Sequence, residues 1–564
     1  MLSSPPPPAP VTEVRAADQS SGTRLKVGGI ESQGSWLWVG GNRRSPKQLW
    51  IPLDLLIGRF GFQRVRSTNG QTLEWFGQKS SLETLSKRSL GDEVAIDAAP
   101  WFRSLNVTTS HRAGVLSVAL KAPRVLKLRQ GRGSTAGRLV LDLTGPALVQ
   151  RQNDDLLLGV SITASQAAQL RGIGLNVGRA GQLLRFKGNA DRPTLTLASP
   201  WRIVVDGLTT RKSSGSRTTG NALQAALLNP AIQAETRGGL VLDVRTVRVG
   251  VKPVRIFRAG APFNSRSLML RPLAARGAQT GIRFLSQLAQ PEKALLAVNG
   301  GFFNRVRQLP LGALRVDGTW LSGPILNRGA IGWTPGERLL FSRLRLDQSM
   351  QVNRGRRWGL GFLNSGYVQR GLSRYTRAWG PVYKALSGEE KALTVRDGMV
   401  TDQLGRAELN RGVPLAAGTS LIVSRAGAPL PAQPGDRVII NLRSSGPVGE
   451  QPNVLAGGPL LLNNGQVVLK GRQEGFSRGF LSQSAPRTVV GQDTTHVWLM
   501  TLKGVSGSDP TLLETTLALR QLRMLDALNL DGGSSTTLLA ANRTVMTGRG
   551  VTPRVQNGLG WVRR

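Results

Sequence analysis

Hydrophobic positions in this chain alternate with polar ones more often than they follow a helical period. Ser35-Trp36-Leu37-Trp38-Val39 reads as a strand closed by Gly40-Gly41. The runs Val115 to Leu120, Leu139 to Leu143 and Trp201 to Asp206 read the same way. Thr68-Asn69-Gly70-Gln71 predicts a hairpin, because Asn-Gly accepts the positive φ angles of a tight turn. Val247, Val249 and Val251 alternate with Arg248, Gly250 and Lys252, a period-two strand. The unbroken apolar run Ala294 to Val298 predicts a buried strand. Helical signals are fewer: Asn221 to Ala234, residues 278–290, and a segment opening at Asp509-Pro510. There Asp suits a cap and Pro the first helical position. Leu513, Leu517, Met524 and Leu528 share one face at helical spacing. That segment leads into Asn529-Leu530-Asp531-Gly532-Gly533-Ser534-Ser535.

At 564 residues the chain exceeds a single core, and about three or four domains are expected. Texture divides it into a disordered tail (1–24), a small β-rich module (25–104), a β-sandwich-like module (105–208), a linker with a short helix (209–234), and a last domain (235–564). The expected fold class is multidomain, with mainly-β modules followed by an α/β (α+β) domain. The 69 glycines favour turns and strands over a helical bundle.

Charge changes the picture next. Lys+Arg 74 against Asp+Glu 33 gives a net charge of +41, a field that attracts anions such as phosphorylated glycans, wall polymers or nucleic acid. The arginines are spread along every segment and no nucleic-acid motif is present, so nucleic acid is not the expected partner. The absence of cysteine excludes disulfides and thiolate metal sites. His111 and His496 are the only histidines, which argues against a histidine zinc site. No apolar run is long enough to form a transmembrane helix.

Four glycine-rich turns in the last domain share one design: Asn299-Gly300-Gly301, Gly457-Gly458-Pro459, Arg487-Thr488 before Gly491, and Asp531-Gly532-Gly533. One such turn is ordinary; together, with one Asn, one Arg and one Asp, they argue for a shared cleft at the ends of strands. Val298-Asn299-Gly300-Gly301-Phe302-Phe303, Ala456-Gly457-Gly458-Pro459-Leu460, Pro486-Arg487-Thr488-Val489-Val490-Gly491 and Asn529-Leu530-Asp531-Gly532-Gly533-Ser534-Ser535 resemble, in order, the motifs of the phosphodiester glycosidase family. That family is typified by N-acetylglucosamine-1-phosphodiester α-N-acetylglucosaminidase. Pro553-Arg554-Val555-Gln556-Asn557-Gly558 fits its closing pattern.

The resemblance implies a hydrolase that cuts the sugar C–O bond of a sugar-1-phosphate diester or phosphorylated glycan. A phosphate is a good leaving group, so the site must hold it and support an oxocarbenium-like centre. Arg487 suits the first task, through a planar fork that matches phosphate oxygens. Asp531 suits the second, as nucleophile or as base for water. Asn299 is the candidate for binding sugar hydroxyls. The amides of Gly300, Gly301, Gly532 and Gly533 are candidates to cradle an oxyanion. Gly457, Gly458, Thr488, Ser534, Ser535, Arg554 and Asn557 complete the expected substrate contacts. Glu474 and Asp493 are the candidates for a second carboxylate, while Phe302 and Phe303 are expected in the core. No cofactor is required; Ca²⁺ on Asp531 with carbonyl oxygens is compatible with the sequence.

Upstream, residues 25–104 resemble the N-terminal domain of copper amine oxidases, and residues 105–208 resemble AMIN domains. Both resemblances imply attachment to peptidoglycan or an anionic wall polymer, and hence a periplasmic, secreted or envelope location. Met1 to Pro10 lacks the charged start and apolar run of a signal peptide, so that location expects upstream codons. The alternative is a catalytically silent domain that holds a polyanion on its basic surface.

Overall fold

The computed structural model describes residues 18–41, 46–67, 70–90, 93–131, 137–152, 155–189, 192–208, 219–505, 508–548 and 552–564. Most of the expected tail, the residues at the hairpin tip before Gly70 and the first half of the expected linker lie outside these ranges. The protein is mostly β, built from many sheets.

The N-terminal region is organised by one seven-stranded sheet. Its central strands are Gln19–Val27 and Ile30–Val39, flanked on one side by Gln48–Pro52 and on the other by Val115–Ala119. The first strand begins inside the segment expected to be a disordered tail. Its leading residues are polar because they face solvent, and only Leu25 and Val27 are buried. The expected division at 104/105 cuts this sheet, because Arg24 to Val27 pair in parallel with Val115 to Val118. A single apolar core, from Leu25 to Leu208, runs under both expected modules. The Asn-Gly hairpin forms as read: Gln63–Ser67 pairs antiparallel with Gly70–Trp75.

The C-terminal unit opens with two helices, Thr219–Leu227 and Pro230–Thr236, where the sequence predicted one. Pro230 ends the first and starts the second, with Asn229 as its cap. Two antiparallel sheets then enclose the main core. One runs Val241–Val249, Lys252–Pro262, His496–Gly504, Arg487–Gln492, Asp526–Asn529, Leu460–Asn463 and Gln466–Val467. The other runs Leu268–Ala274, Asn557–Arg563, Ala294–Asn299, Thr537–Ala540 and Arg543–Thr547. Val490, Leu499 and Leu528 from the first meet Val298, Leu538 and Trp561 from the second. With helices packed against these sheets, the unit takes the α+β form of the expectation. A third sheet pairs Gly329–Trp333 with Asn453–Ala456.

Two helices differ from the sequence reading. Residues 278–290 form a helix only over Leu285–Ala289, after the short strand Arg283–Phe284. The late helix spans Leu512–Gln521 and is capped by Thr511 with Glu514 in a reciprocal capping box, not by Asp509. Asp509 instead accepts from the Gly504 amide at 3.1 Å. The buried face is Leu512, Thr515, Thr516 and Leu519, while Leu513 is 54% exposed. The helix turns that side inward, so the face chosen from the leucines at 513 and 517 is not the buried one.

Between residues 345 and 445 the chain leaves this framework and builds an insert with three sheets and two small cores, one of which also takes in Leu309 of the framework. Its ends are tied together: the Arg345 amide donates to Ser445 Oγ at 2.9 Å, and the Ser445 amide to the Arg345 carbonyl at 3.0 Å. A buried network of Arg425, Glu390, Tyr375 and Tyr383 lies inside it, with Arg425 2.7 Å from Glu390.

Candidate functional site

Three of the four glycine-rich turns follow strand ends, as expected: Asn299 ends Ala294–Asn299, Gly457 follows Asn453–Ala456, and Asp531 follows Asp526–Asn529. Arg487 differs, since it begins its strand. The turns come from strands of three different sheets and meet through backbone hydrogen bonds. The Asp531 amide donates to the Gly300 carbonyl at 3.0 Å, and the Gly458 amide to the Asn529 carbonyl at 2.7 Å.

Asn299 is the hub of this junction. Its Nδ2 donates to the Asp531 carbonyl at 2.6 Å, and its Oδ1 accepts from Thr488 Oγ1 at 2.7 Å and the Thr537 amide at 3.0 Å. The side chain is fully buried. These bonds face inward, so Asn299 and Thr488 tie the turn together instead of facing the cleft. Asn557 does similar work: its Oδ1 accepts from the Gly301 amide at 2.8 Å. A Cβ on Gly300 would stand 2.0 Å from that oxygen, and one on Gly457 would stand 2.3 Å from the Asn529 carbonyl. Glycine is needed here for the close approach of backbone to its neighbours.

Asp531 faces a cleft of about 860 Å³. Lys87, Arg88, Arg305, Arg307 and Arg328 line it, while Asp531 and Glu83 are the acids among its described lining residues. Phe302, Phe303, Tyr367, Phe476 and Phe480 add aromatic surface. The cleft therefore carries an excess of positive charge around one buried carboxylate. Phe303 is buried in the core and Phe302 packs against a core cluster, as the sequence expected, and both also reach the cleft wall.

Arg305 follows the Asn299 turn directly, and its side chain is 8% exposed. Its Nη2 lies 3.5 Å from both Asp531 carboxylate oxygens and 3.2 Å from Ser535 Oγ. Its Nη1 donates to Ser534 Oγ at 3.1 Å and forms an ion pair with Asp54, a residue of the N-terminal region. Ser534 and Ser535 thus bind a protein guanidinium. Arg328 is held between rings, 4.2 Å from the Phe476 centroid and 5.3 Å from that of Phe302. Burial pushes its pKa down to about 10, against the pull of Tyr367 and Glu474; it stays protonated at neutral pH.

The remaining expected residues are placed elsewhere. Arg487 is fully buried against Phe480, its Nη2 donates to the Gln483 carbonyl, and it is not among the lining residues of the cleft. Glu474 is also fully buried: it accepts from the Gly329 amide at 2.7 Å, the Leu460 amide at 3.1 Å and Arg343 Nε at 3.3 Å. Burial raises its carboxyl above the ordinary range, in spite of those donors. It braces the Gly458 turn. Asp493 caps the turn before His496, accepting from the amides of Thr495 and His496 and from Trp498 Nε1. Burial pushes Asp493 up, but these hydrogen bonds prevail and hold it below the ordinary range. His496 bonds the Gly239 carbonyl at 3.0 Å. Arg554 lies over Phe284 and lines a separate cavity of about 300 Å³ between the N-terminal and C-terminal units. Among the described residues no three His, Cys, Asp or Glu gather as metal ligands.

Arg305, Arg328 and Asp54 were not singled out by sequence reasoning. Arg305 had one usable signal, its place three residues after the Gly300-Gly301-Phe302 turn.

Residues 389–562 match the family model described as phosphodiester glycosidase. A solved structure of a hypothetical protein from Synechocystis is similar over 96% of this chain and 99% of that one, at 29% identity and a TM-score of 0.57. A putative exported protein from Burkholderia pseudomallei matches at 16% identity over 78% of this chain and 97% of its own, with a TM-score of 0.45. The auto-inhibited catalytic domain of zebrafish N-acetylglucosamine-1-phosphodiester α-N-acetylglucosaminidase matches at 15% identity over 58% of this chain and 83% of its own, with a TM-score of 0.32. No curated protein matches.

Proposed function

From the phosphodiester glycosidase domain matched at residues 389–562, we infer that this protein hydrolyses the sugar C–O bond of a sugar-1-phosphate diester or phosphorylated glycan. The observation that carries this reading is the cleft itself: one buried carboxylate, Asp531, among five cationic side chains and a set of aromatic rings. Arg328, Lys87 and Arg88, all on the cleft wall, receive the phosphodiester. The rings pack on the sugar face. Asp531 supports positive charge at the anomeric carbon and takes part in delivering the oxygen of water. The anomeric C–O bond breaks, its electron pair leaves with the phosphate, and water supplies the new C–O bond and loses a proton. The phosphate leaves without help from a strong acid, which fits a cleft whose other lining acid, Glu83, lies on the N-terminal wall. No helix among the described residues is long and apolar enough to cross a membrane. Action at the cell envelope rests on the resemblance of the N-terminal region to wall-associated modules.

The test is incubation of the full chain with the methyl diester of N-acetylglucosamine 1-phosphate in ¹⁸O-water. Free sugar carrying ¹⁸O, with methyl phosphate unlabelled, is the expected result, and Asp531→Asn should lower the rate about 10³-fold or more. Label in the phosphate would mean P–O cleavage and a different enzyme. No turnover on any sugar-1-phosphate diester, with salt-sensitive retention on phosphorylated glycan, would favour a binding protein.

A further inference from the structure

A second carboxylate reaches the reaction centre from outside the C-terminal unit. Asp54 sits on the short helical segment Leu53–Leu55, between two buried leucines that fix its place. It forms an ion pair with Arg305 Nη1 and accepts from Ser534 Oγ at 3.2 Å. The N-terminal region also holds the backbone there: Arg64 Nη1 donates to the Arg305 carbonyl at 2.7 Å, and Val306 packs on the N-terminal core.

We propose that Asp54 is a positioning residue for Asp531, acting through Arg305, so that the N-terminal unit is a working part of the catalytic site. This rests on the glycosidase reading of Asp531. The guanidinium is a rigid planar fork, so fixing one arm fixes the other. With Nη1 on Asp54 and Ser534, Nη2 stands 3.5 Å from both oxygens of Asp531. A relaxed arginine–carboxylate pair closes to about 2.7–2.9 Å. Asp54 therefore holds Arg305 back from a tight pair with Asp531. The cation still orients the carboxylate, and its oxygens are not drawn into a closed bidentate pair. Asp54 does not line the cleft, so its effect on substrate is indirect.

The test compares wild type, Asp54→Asn and Asp54→Glu in the full chain. Asp54→Asn should lower kcat about 10- to 100-fold, the usual scale for losing a group that orients a reacting one. KM should stay within about threefold, and Asp54→Glu should recover part of the loss. In an Arg305→Gln background Asp54→Asn should have no further effect, because the two act as one unit. Parallel losses in kcat and affinity, or an undiminished effect without Arg305, would overturn the proposal. A second arm does not depend on turnover. In ¹⁵N spectra of arginine-labelled protein, assigned with Arg305→Lys, the slowly rotating Arg305 Nη signals should be lost in Asp54→Asn and kept in Asp531→Asn. If no diester is cleaved, the glycosidase reading fails while this arm still decides the role of Asp54; unchanged Arg305 signals in Asp54→Asn would reject it.

Discussion

Asn299→Ala separates two roles that the sequence alone could not. As a ligand for sugar hydroxyls, Asn299 would raise KM when removed and leave the fold intact. As a buried hub, it would do the reverse. The substitution removes the partner of the Asp531 carbonyl and of the Thr537 amide, both inside the protein; Thr488 Oγ1 can rotate to another acceptor. Each buried group left without a partner costs about 1–3 kcal/mol, so two cost about 4 kcal/mol. At about 2–4 °C per kcal/mol, Tm should fall by roughly 8–16 °C. Differential scanning calorimetry on the full chain measures it. Steady-state kinetics well below the transition should show lower kcat, because the Asp531 turn loses its anchor, with KM little changed. An unchanged Tm with a raised KM would refute the reasoning and return Asn299 to the substrate.

Arg328→Met keeps the packing between Phe302 and Phe476 but removes the charge, and should lower kcat/KM about 10-fold or more, mostly through KM; an unchanged KM would remove Arg328 from the phosphate. Glu474 is raised by burial, so the fold favours its neutral form: its stabilisation is complete below the ordinary Glu value and is lost as pH rises through the raised one. The Tm of Glu474→Gln relative to wild type should therefore climb as pH is raised from about 4, and a flat difference would contradict this. Glu390→Ala leaves the buried Arg425 without its carboxylate and should destabilise the insert by about 3–5 kcal/mol, read by urea unfolding or by proteolysis confined to residues 346–444.

The strand pattern and the glycine turns were legible because each is local; the meeting of the Asn299 and Asp531 turns, 232 positions apart, was expected only from the turns taken together with the family resemblance. Glycine pairs at strand ends announce themselves, and alternating valines name a strand. The cations of the cleft were not legible, for the opposite reason. In a chain with 74 Lys and Arg, a single Arg305 or Arg328 carries no contrast. Arg487 stood out only because it lay in a motif, and the fold buries it. Asp54 could not be found at all from sequence, since its partner lies 251 positions away in another unit. The helix face at Leu513 failed on a smaller matter: two of the inward positions are threonines, Thr515 and Thr516, which a count of leucines passes over.

The reciprocal bonds between Arg345 and Ser445 close the neck of the insert like a clasp. Residues 366–369 of the insert stand on the cleft wall, whereas Asn299, Arg305 and Asp531 belong to the framework. A clasped neck lets loops on the far side of the insert change length at little cost to the sheets that hold the carboxylate, while its near side stays tied to the cleft through Arg307 and Leu386. Selection can thus reshape what enters the cleft through one part of the gene and leave the bond-breaking groups to another.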